Sequence, residues 1–329
     1  MLPSVWRGNP TADSPHIPVL YREVVALLAA KPGATVVDAT FGAGGHARLV
    51  ADAMDGRGCY VAIDRDPSVR DHFAAFVRDH PDMRTRFVRG NFSLALRNLA
   101  ATGLRADAVL FDLGVSSMQI DRSERGFSYA ADAPLDMRMD PAETRTAADL
   151  VNELPEGELR RIFERYGEER YSRRIAQAIV RRRAEAPLAR SSELVDVVRR
   201  AIPTPAQFGQ GHPARRVFQA LRIAVNDELA SLQAGLEESL DLLVPGGRLV
   251  AVSFHSLEDR IVKDFLRREA HGCICPPDLP VCGCGHEPRM RILTTRVVRP
   301  TPFETDENPR AASARLRAGE RTALTGEAA

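Results

Sequence analysis

Short apolar runs alternate with helical patterns through the first third of the chain, and this alternation limits the fold more than any other feature. Four runs have the length of buried strands: residues 34–38, 59–64, 86–89 and 108–112. Helical patterns at residues 46–54 and 67–79 follow the first two runs. Strands that alternate with helices predict a parallel, doubly wound sheet, so we expect an α/β protein.

The alternation stops near residue 117. Residues 118–216 show helical patterns without a convincing buried strand, and residues 217–243 then carry apolar side chains at spacings of three and four. That spacing predicts one continuous amphipathic helix. An apolar run at residues 248–254 resumes the strand pattern. The chain after residue 303 is polar and arginine-rich, which is typical of a poorly ordered end.

These patterns predict a discontinuous sheet domain with a helical insertion. We assign residues 16–117 and 217–303 to the sheet domain, residues 118–216 to the insertion and residues 304–329 to a polar C-terminal tail.

Composition favours a soluble globular protein. The 329 residues are 44% hydrophobic and 27% charged, with a net charge of +1. No apolar run approaches the roughly 18–20 residues needed to cross a bilayer. Residues 1–15 are polar and interrupted by proline, without the apolar core of a signal peptide. We therefore expect a cytoplasmic protein with no membrane partner.

Arginine is concentrated in the insertion. Residues 157–222 contain 15 arginines and seven acids, a local excess of eight positive charges. Such an excess is typical of a surface that contacts a phosphate backbone. The alternative is a solvated arginine-rich surface that reflects coding bias, because Lys31 and Lys263 are the only lysines in the chain.

A glycine-rich loop follows the first predicted strand. That strand ends at Asp38, and Gly42, Gly44 and Gly45 precede the next helix. Such a loop brings bare backbone close to a ligand. Asp64 ends the second strand, where an acid can accept hydrogen bonds from a ribose diol. The spacing also fits the loose G-x-G-x-x-G/A pattern of dinucleotide-binding proteins.

Two further acids favour a cationic cofactor over a dinucleotide. Asp38 precedes the glycine loop, where a carboxylate would repel pyrophosphate, and Asp112 ends the fourth predicted strand beside the same crevice. S-adenosylmethionine (SAM) carries the sulfonium and ammonium groups that such acids suit. The alternative is that Asp38 and Asp112 only cap turns or helices.

The sequence resembles the RsmH/MraW family, the bacterial methyltransferases of 16S ribosomal RNA that act on cytosine N4. Ten stretches carry the resemblance: HIPVL at residues 16–20, DATFGAGGH at 38–46, AIDRD at 62–66, DLGVSS at 112–117, ERGF at 124–127, PLDMRMD at 134–140, YGEE at 166–169, FQALR at 218–222, SFHSLEDR at 253–260 and NPR at 308–310.

The resemblance implies a Rossmann-like SAM methyltransferase sheet with an inserted helical domain for substrate recognition. It implies the following cofactor contacts: Gly44, Gly45, His46, Asp64, Phe92, Asp112 and Gln119. The implied partner is 16S ribosomal RNA in the small ribosomal subunit. The modified cytosine and the assembly state of the ribosomal substrate stay open, and a homodimer is one of the oligomeric states left open.

Four residues are candidates for catalysis. Asp112 could accept a hydrogen bond from the target amine, and Asp136 and Arg138 form a charged patch expected outside the carboxyl edge of the sheet. His255 follows the strand run at residues 248–254 and could contact the base or its sugar. For the neighbouring Ser256 and Asp259, we favour a helix capping box over a functional role.

Four cysteines cluster late in the chain, and Cys59 lies alone in an apolar run. Cys273, Cys275, Cys282 and Cys284, with His286 nearby, could complete a tetrahedral zinc site. However, the C-x-C spacing is tighter than usual, and the resemblance requires no metal. We therefore expect reduced thiols and no bound metal, with zinc as the alternative.

Three other functions stay open. The chain could be a SAM methyltransferase acting on DNA or protein, a non-catalytic RNA-binding factor that keeps a SAM fold, or a nicotinamide dehydrogenase. The intact glycine loop, Asp64 and Asp112 argue against the non-catalytic alternative.

Overall fold

The computed structural model describes residues 18–116, 118–119, 122–208, 211–273, 275, 283–285 and 287–324. Several features used in the sequence interpretation lie outside these residues: the polar segment 1–15, His16, Ile17, Ser117, Cys282, His286 and residues 325–329 of the tail. The chain divides into two compact units. The sheet unit comprises residues up to Gly114 and from Leu229 onward, and the helical unit comprises Val115–Glu228.

Seven strands form the sheet: β1 (Thr35–Asp38), β2 (Cys59–Asp64), β3 (Arg84–Arg89), β4 (Ala106–Asp112), β5 (Leu243–Ser253), β6 (Met290–Ile292) and β7 (Arg315–Arg321). Their order is β3-β2-β1-β4-β5-β7-β6. The first five are parallel, and β7 runs antiparallel to both of its neighbours. The strand order reverses between β1 and β4, so the carboxyl ends of these two strands flank the expected ligand crevice.

Seven helices belong mainly to the sheet unit: α1 (Tyr21–Leu28), α2 (Gly45–Ala53), α3 (Arg70–Asp79), α4 (Phe92–Ala101), α11 (Glu228–Leu242), α12 (Ser256–Ala270) and α13 (Pro302–Glu307). Leu96 of α4, Leu236 of α11 and Phe265 of α12 pack in one core cluster with the sheet residues Val109 and Phe111. Each fully buried side chain of this size contributes about 1.5–3 kcal/mol to stability. The predicted α/β class is confirmed.

Six helices with described bounds lie in the helical unit: α5 (Ala147–Glu153), α6 (Glu156–Gly167), α7 (Ser172–Glu185), α8 (Ser191–Ala201), α9 (Thr204–Gln207) and α10 (Arg215–Asn226). They enclose a separate apolar core that includes Phe163, Ile175, Val198, Phe218 and Leu221. This unit therefore has the independent core expected of a domain. In the described part of the chain, no helix combines the length and apolarity needed to span a membrane.

The predicted continuous helix over residues 217–243 is wrong. Asp227 adopts a left-handed backbone conformation with φ of 49° and separates α10 from α11. Asn226 is buried, accepts a hydrogen bond from the Met139 backbone and donates to the carbonyls of Met137 and Arg222. Asn and Asp tolerate such a break better than most residues. As a result α10 belongs to the helical unit, which extends past the expected boundary at residue 216.

The predicted C-terminal tail, residues 304–329, is wrong where the chain forms a strand; its last residues, 325–329, lie outside the described part of the chain. Residues Arg315–Arg321 form β7, which pairs with both β5 and β6. Leu316 and Ala318 are buried, while Arg317 donates a hydrogen bond of 2.6 Å to Asp259 on α12. The outward-facing side chains of β7 therefore form ion pairs. Because the strand is rich in arginine, its sequence did not show the alternation of buried and exposed side chains clearly.

Candidate cofactor-binding site

Asp38 anchors the start of the glycine loop. Its Oδ1 accepts a hydrogen bond from the Thr40 backbone (3.1 Å), and its Oδ2 accepts one from the Tyr60 hydroxyl (2.9 Å). Burial raises the pKa of this carboxyl to about 7, although the two hydrogen bonds oppose that effect. Because both oxygens have partners and Asp38 is only 1% exposed, the geometry favours the capping role over a direct contact with a cofactor.

The glycine loop folds tightly against its own chain. Gly44 has φ of 74°, and a Cβ added there would lie 2.8 Å from the ring of Phe41. A Cβ added at Gly45 would lie 2.6 Å from the Pro18 ring. The Arg48 guanidinium donates a hydrogen bond of 3.3 Å to the Gly44 carbonyl and so braces the loop. Only glycine fits the conformation and the space at residue 44.

Asp64 stands opposite the loop at the end of β2. Its Oδ2 accepts a hydrogen bond from the Gly42 backbone, and its Oδ1 accepts one from the Asp66 backbone, both at 2.9 Å. Burial raises the pKa of Asp64 to about 6. Each carboxylate oxygen can accept a second hydrogen bond, so Asp64 can hold the loop and a ribose hydroxyl together.

Asp112 lies at the end of β4, next to β1 in the sheet. Its backbone N–H donates to the Thr40 hydroxyl (2.6 Å), which ties the two strand ends together. Burial raises the pKa of Asp112 to about 8, and the negative charges of Asp38 and Glu258 add to this effect. The side chain keeps 30% of its exposure, so a ligand can reach the carboxyl.

His46 faces Asp112 from the first turn of α2, with 3.5 Å between His46 Nε2 and Asp112 Oδ2. Burial lowers the pKa of this imidazole to about 4. The imidazole is therefore neutral near pH 7, and the pair is not an ion pair under those conditions.

Unsatisfied polar atoms surround this point. Among the described residues, Asp112 Oδ1 and both ring nitrogens of His46 are buried without a hydrogen-bond partner. Buried polar groups are nearly always satisfied, so these atoms require partners of the kind that a bound ligand or an ordered water supplies. A ligand that brings both positive charge and hydrogen-bonding groups would satisfy them and relieve the repulsion among the acids. The site therefore fits SAM.

Phe92 begins α4 and packs inside the sheet unit. Its ring meets the Phe111 ring edge-on, with 5.6 Å between centroids. A Cβ added at Gly235 would lie 2.7 Å from the Phe92 ring. Phe92 thus has a packing role, and its contact with the cofactor stays a prediction.

His255 caps α12, one residue before the expected cap. The Glu258 backbone donates to His255 Nδ1 (3.4 Å), and Glu258 Oε2 accepts from the backbone of His255 (3.3 Å). His255 Nε2 is buried, 3.2 Å from Glu258 Oε1. The expected box of Ser256 and Asp259 is therefore wrong, because Asp259 instead forms ion pairs with β7.

Asp136 and Arg138 belong to the helical unit and bind each other. Arg138 Nε and Nη2 each donate a hydrogen bond of 2.7 Å to the Asp136 carboxylate. Arg138 also donates to the carbonyl of Glu143 (2.6 Å). Burial alone would raise the pKa of Asp136, but the bonds from Arg138 bring it below its ordinary value. The geometry gives this pair a local role in holding its loop.

Gln119 also lies in the helical unit and is buried. Its Oε1 accepts a hydrogen bond of 3.1 Å from the Ser116 backbone. Its contact with a cofactor stays a prediction.

The structure brings five of the predicted cofactor residues together along one edge of the sheet unit: Gly44, Gly45, His46, Asp64 and Asp112. Sequence reasoning missed Thr40 and Tyr60, which hold Asp112 and Asp38. It expected Glu258 beside the crevice with His255 but missed the capping contact between these two residues. A tyrosine within the apolar β2 run was a usable signal, since a buried hydroxyl needs a partner.

A sheet with this strand reversal, a glycine loop and clustered acids at its carboxyl edge defines a Rossmann-like cofactor-binding protein. The arrangement of the acids narrows this class to proteins that bind a cationic cofactor, as SAM methyltransferases do. Residues 13–322 match the model of the MraW methylase family. The chain belongs to the MraW methylase family, which confirms both the resemblance and the cofactor.

The chain aligns with curated relatives over nearly their whole length. The chain is 50% identical to Ribosomal RNA small subunit methyltransferase H of Heliobacterium modesticaldum over 309 residues, covering 93% of this chain and 98% of the relative. It is 53% identical to the protein of the same name from Geobacter sulfurreducens, again covering 93% and 98%. A solved rRNA methylase from Streptococcus thermophilus is 12% identical with a TM-score of 0.42, covering 94% of this chain and 99% of that one.

Proposed function

We propose that this chain transfers a methyl group from SAM to the N4 amine of a cytosine in 16S ribosomal RNA. The observation that carries the proposal is the buried but reachable carboxyl of Asp112 beside the glycine loop. Membership of the MraW methylase family supports methyl transfer, and the names of the curated relatives support small-subunit ribosomal RNA as the substrate. The proposal places the reaction in the cytoplasm.

The target amine sets what the protein must supply. The lone pair of an exocyclic cytosine amine is delocalised into the ring, so the amine is a poor nucleophile. When bound, SAM supplies an activated methyl group on a sulfonium. Asp112 would accept a hydrogen bond from the amine, which favours the pyramidal and increasingly positive nitrogen of the transition state. No strong base is needed first, because the amine proton becomes acidic only as the new bond forms.

The electrostatic state of the site supports this role. Burial and the neighbouring acids make the ionised form of Asp112 unfavourable in the ligand-free protein. A cation bound nearby favours ionisation of a carboxyl. Binding of the cationic cofactor would therefore convert Asp112 into the hydrogen-bond acceptor that the amine requires.

The helical unit would bind the RNA. Three arginines of α7 are exposed, namely Arg173, Arg174 and Arg181. Arg182 and Arg183 instead donate to the backbone carbonyls of Ala186 and Val151 and therefore hold the unit together. Only the exposed set suits phosphate contacts. The target cytosine must be unpaired or flipped out, since its amine is otherwise engaged in pairing.

The test is nucleoside mass spectrometry of 16S ribosomal RNA from a strain that lacks this gene. We expect loss of one N4-methylated cytidine and its return with the wild-type gene but not with Asp112→Ala. An unchanged modification pattern would contradict the proposal. Purified protein should also transfer labelled methyl to small ribosomal subunits lacking the modification, and preferential labelling of naked DNA or protein would support those alternative substrates.

A further inference from the structure

Three cysteines converge in the loop between α12 and β6. The sulfur atoms of Cys273, Cys275 and Cys284 all lie within 4.8 Å of one another. Cys273 Sγ and Cys284 Sγ are 3.9 Å apart. Cys273 and Cys284 are exposed and Cys275 is half-buried, so burial in an apolar core does not explain their convergence.

The spacing of the sulfurs matches a shared metal ion. A zinc–sulfur bond is about 2.3 Å long, which places two sulfurs of a tetrahedral site about 3.8 Å apart. A disulfide would require about 2.05 Å between sulfurs. The separation of 3.9 Å between Cys273 and Cys284 therefore corresponds to an edge of a metal tetrahedron.

The neck of this loop is fixed by the sheet unit. The Arg289 backbone donates a hydrogen bond of 2.8 Å to the carbonyl of Glu269 at the end of α12. The Thr322 backbone donates one of 3.0 Å to the Arg289 carbonyl. No helix or strand is assigned among the described residues from His271 to Arg289, so a metal held by Cys273 and Cys284 would join the two sides of the loop directly.

We propose that Cys273, Cys275 and Cys284 bind a Zn²⁺ ion that crosslinks this loop. Three sulfur ligands select zinc or another thiophilic metal over magnesium or calcium, which require oxygen. On binding, three S–H bonds are replaced by three Zn–S bonds, and the three protons pass to solvent. Zinc affinity should therefore rise with pH. The role is structural, and no step of methyl transfer depends on it.

The experiment measures metal in the full chain purified under reducing conditions, after incubation with Zn²⁺ and removal of unbound metal. We expect about one zinc per chain by plasma mass spectrometry and zinc–sulfur distances of about 2.3 Å by X-ray absorption. Replacement of zinc by Co²⁺ should give the intense sulfur-to-metal charge-transfer band of a thiolate site.

Cysteine variants identify the ligands. Cys273→Ser, Cys275→Ser and Cys284→Ser should each weaken zinc binding by more than about 100-fold, beyond the loss expected for a residue that only supports a ligand. Cys59→Ser changes a cysteine of β2 in the same unit and should keep full binding. Unchanged SAM affinity would show that each variant is folded.

Two results would overturn the proposal. One is a wild-type chain that retains no zinc under these conditions. The other is equal zinc retention by the wild type and the triple serine variant. An X-ray absorption spectrum of the wild type that shows only oxygen and nitrogen ligands would have the same meaning. A measurement on the unmodified chain is independent of variant folding: a chelator should release the zinc and make the loop more sensitive to protease, and unchanged cleavage would count against a crosslink.

Discussion

Acidic residues have opposite electrostatic surroundings in the two units. At the cofactor site of the sheet unit, burial raises the pKa of Asp38, Asp64 and Asp112. In the helical unit, hydroxyl, arginine and backbone donors lower the pKa of five acids: Asp132, Asp136, Asp149, Glu164 and Glu193. The cofactor site keeps its three acids at the expense of their ionisation, whereas the five acids of the helical unit serve as partners for nearby donors.

The direction of the pKa shift distinguishes acids that can bind a ligand from acids that stabilise the fold. A carboxyl with a raised pKa and an unsatisfied oxygen, such as Asp112, gains from a bound cation. A carboxylate that accepts two hydrogen bonds from a guanidinium, such as Asp136, is less able to accept a hydrogen bond from a substrate. The comparison therefore favours Asp112 over Asp136 as the residue that acts on the amine.

The largest expected effect comes from removing the carboxylate of Asp112. Asp112→Asn keeps the shape of the side chain but cannot ionise, so methyl transfer to small ribosomal subunits should fall by about 100-fold or more. Asp136→Asn is the matched change in the helical unit and should lower activity far less. Single-turnover transfer of labelled methyl measures both, with thermal melts as the folding control. Equal losses of methyl transfer in Asp112→Asn and Asp136→Asn, with both variants folded, would contradict the different roles given to these two acids.

A loss of RNA binding, rather than of the methyl-transfer step, should follow from reversing the exposed arginines of α7. The triple variant R173E/R174E/R181E should weaken RNA binding by roughly 10- to 1,000-fold, because interactions with phosphate dominate affinity. The salt dependence should become shallower by about one in the log–log slope for each arginine–phosphate interaction that is removed. Filter binding at several salt concentrations measures this. The control R173K/R174K/R181K keeps the charge and should retain most binding, while SAM affinity should stay unchanged in both.

RNA binding by the reversed variant that matches the wild type would remove these arginines from the interface. The proposed RNA-binding surface would then not include α7, and arginines elsewhere in the helical unit would become the candidates for phosphate contacts.

Sequence patterns predicted the parts of the fold in which the buried residues form a simple apolar pattern. β2 was predicted with its observed bounds, because residues 59–64 form an unbroken apolar run that ends at an acid. β7 was missed because its outward side chains are arginine and glutamate, whose pairing with α12 and β6 is visible only in three dimensions. The break at Asp227 was missed because the apolar spacing continues across it.

The candidate site was predictable in its residues and less so in their roles. Strand ends and the glycine loop identified Asp64 and Asp112 directly. By contrast, the partners of Asp38, His255 and Asp136 were not predictable, since they depend on distances of a few tenths of an ångström. Which acid is satisfied inside the protein is a property of packing rather than of sequence order.

The pH dependence of activity sharpens the comparison. If Asp112 must be ionised to accept the amine hydrogen, kcat/KM for SAM should rise with pH and level off above about 8, the pKa of this carboxyl in the ligand-free protein. Below that value the rise should be about tenfold per pH unit for one proton. Initial rates between pH 6 and 9 measure it, and kcat should level off at lower pH because the bound cation favours ionisation. A flat kcat/KM profile would contradict the assignment.

Stability of the ligand-free chain should change in the opposite direction. A carboxyl whose pKa is raised on folding holds its proton more tightly in the folded state, so its contribution is complete below the unfolded pKa of 3.8 and is lost as pH rises through the folded value. From pH 7 to 9 the free energy of unfolding should therefore fall, mainly through Asp112. Urea unfolding should show a smaller fall in Asp112→Asn; an equal fall would place the titrating group elsewhere.

The smallest effect concerns His255 in the sheet unit. Its Nδ1 caps α12 through the Glu258 backbone, so His255→Ala should lower the free energy of unfolding by about 1 kcal/mol. His255→Asn replaces the cap with another good acceptor and should retain most of that stability. If capping is the whole role, methyl transfer in the asparagine variant should stay close to wild type. Loss of activity in both variants, with stability kept in the asparagine variant, would instead show that the imidazole contacts the substrate and that Glu258 orients it.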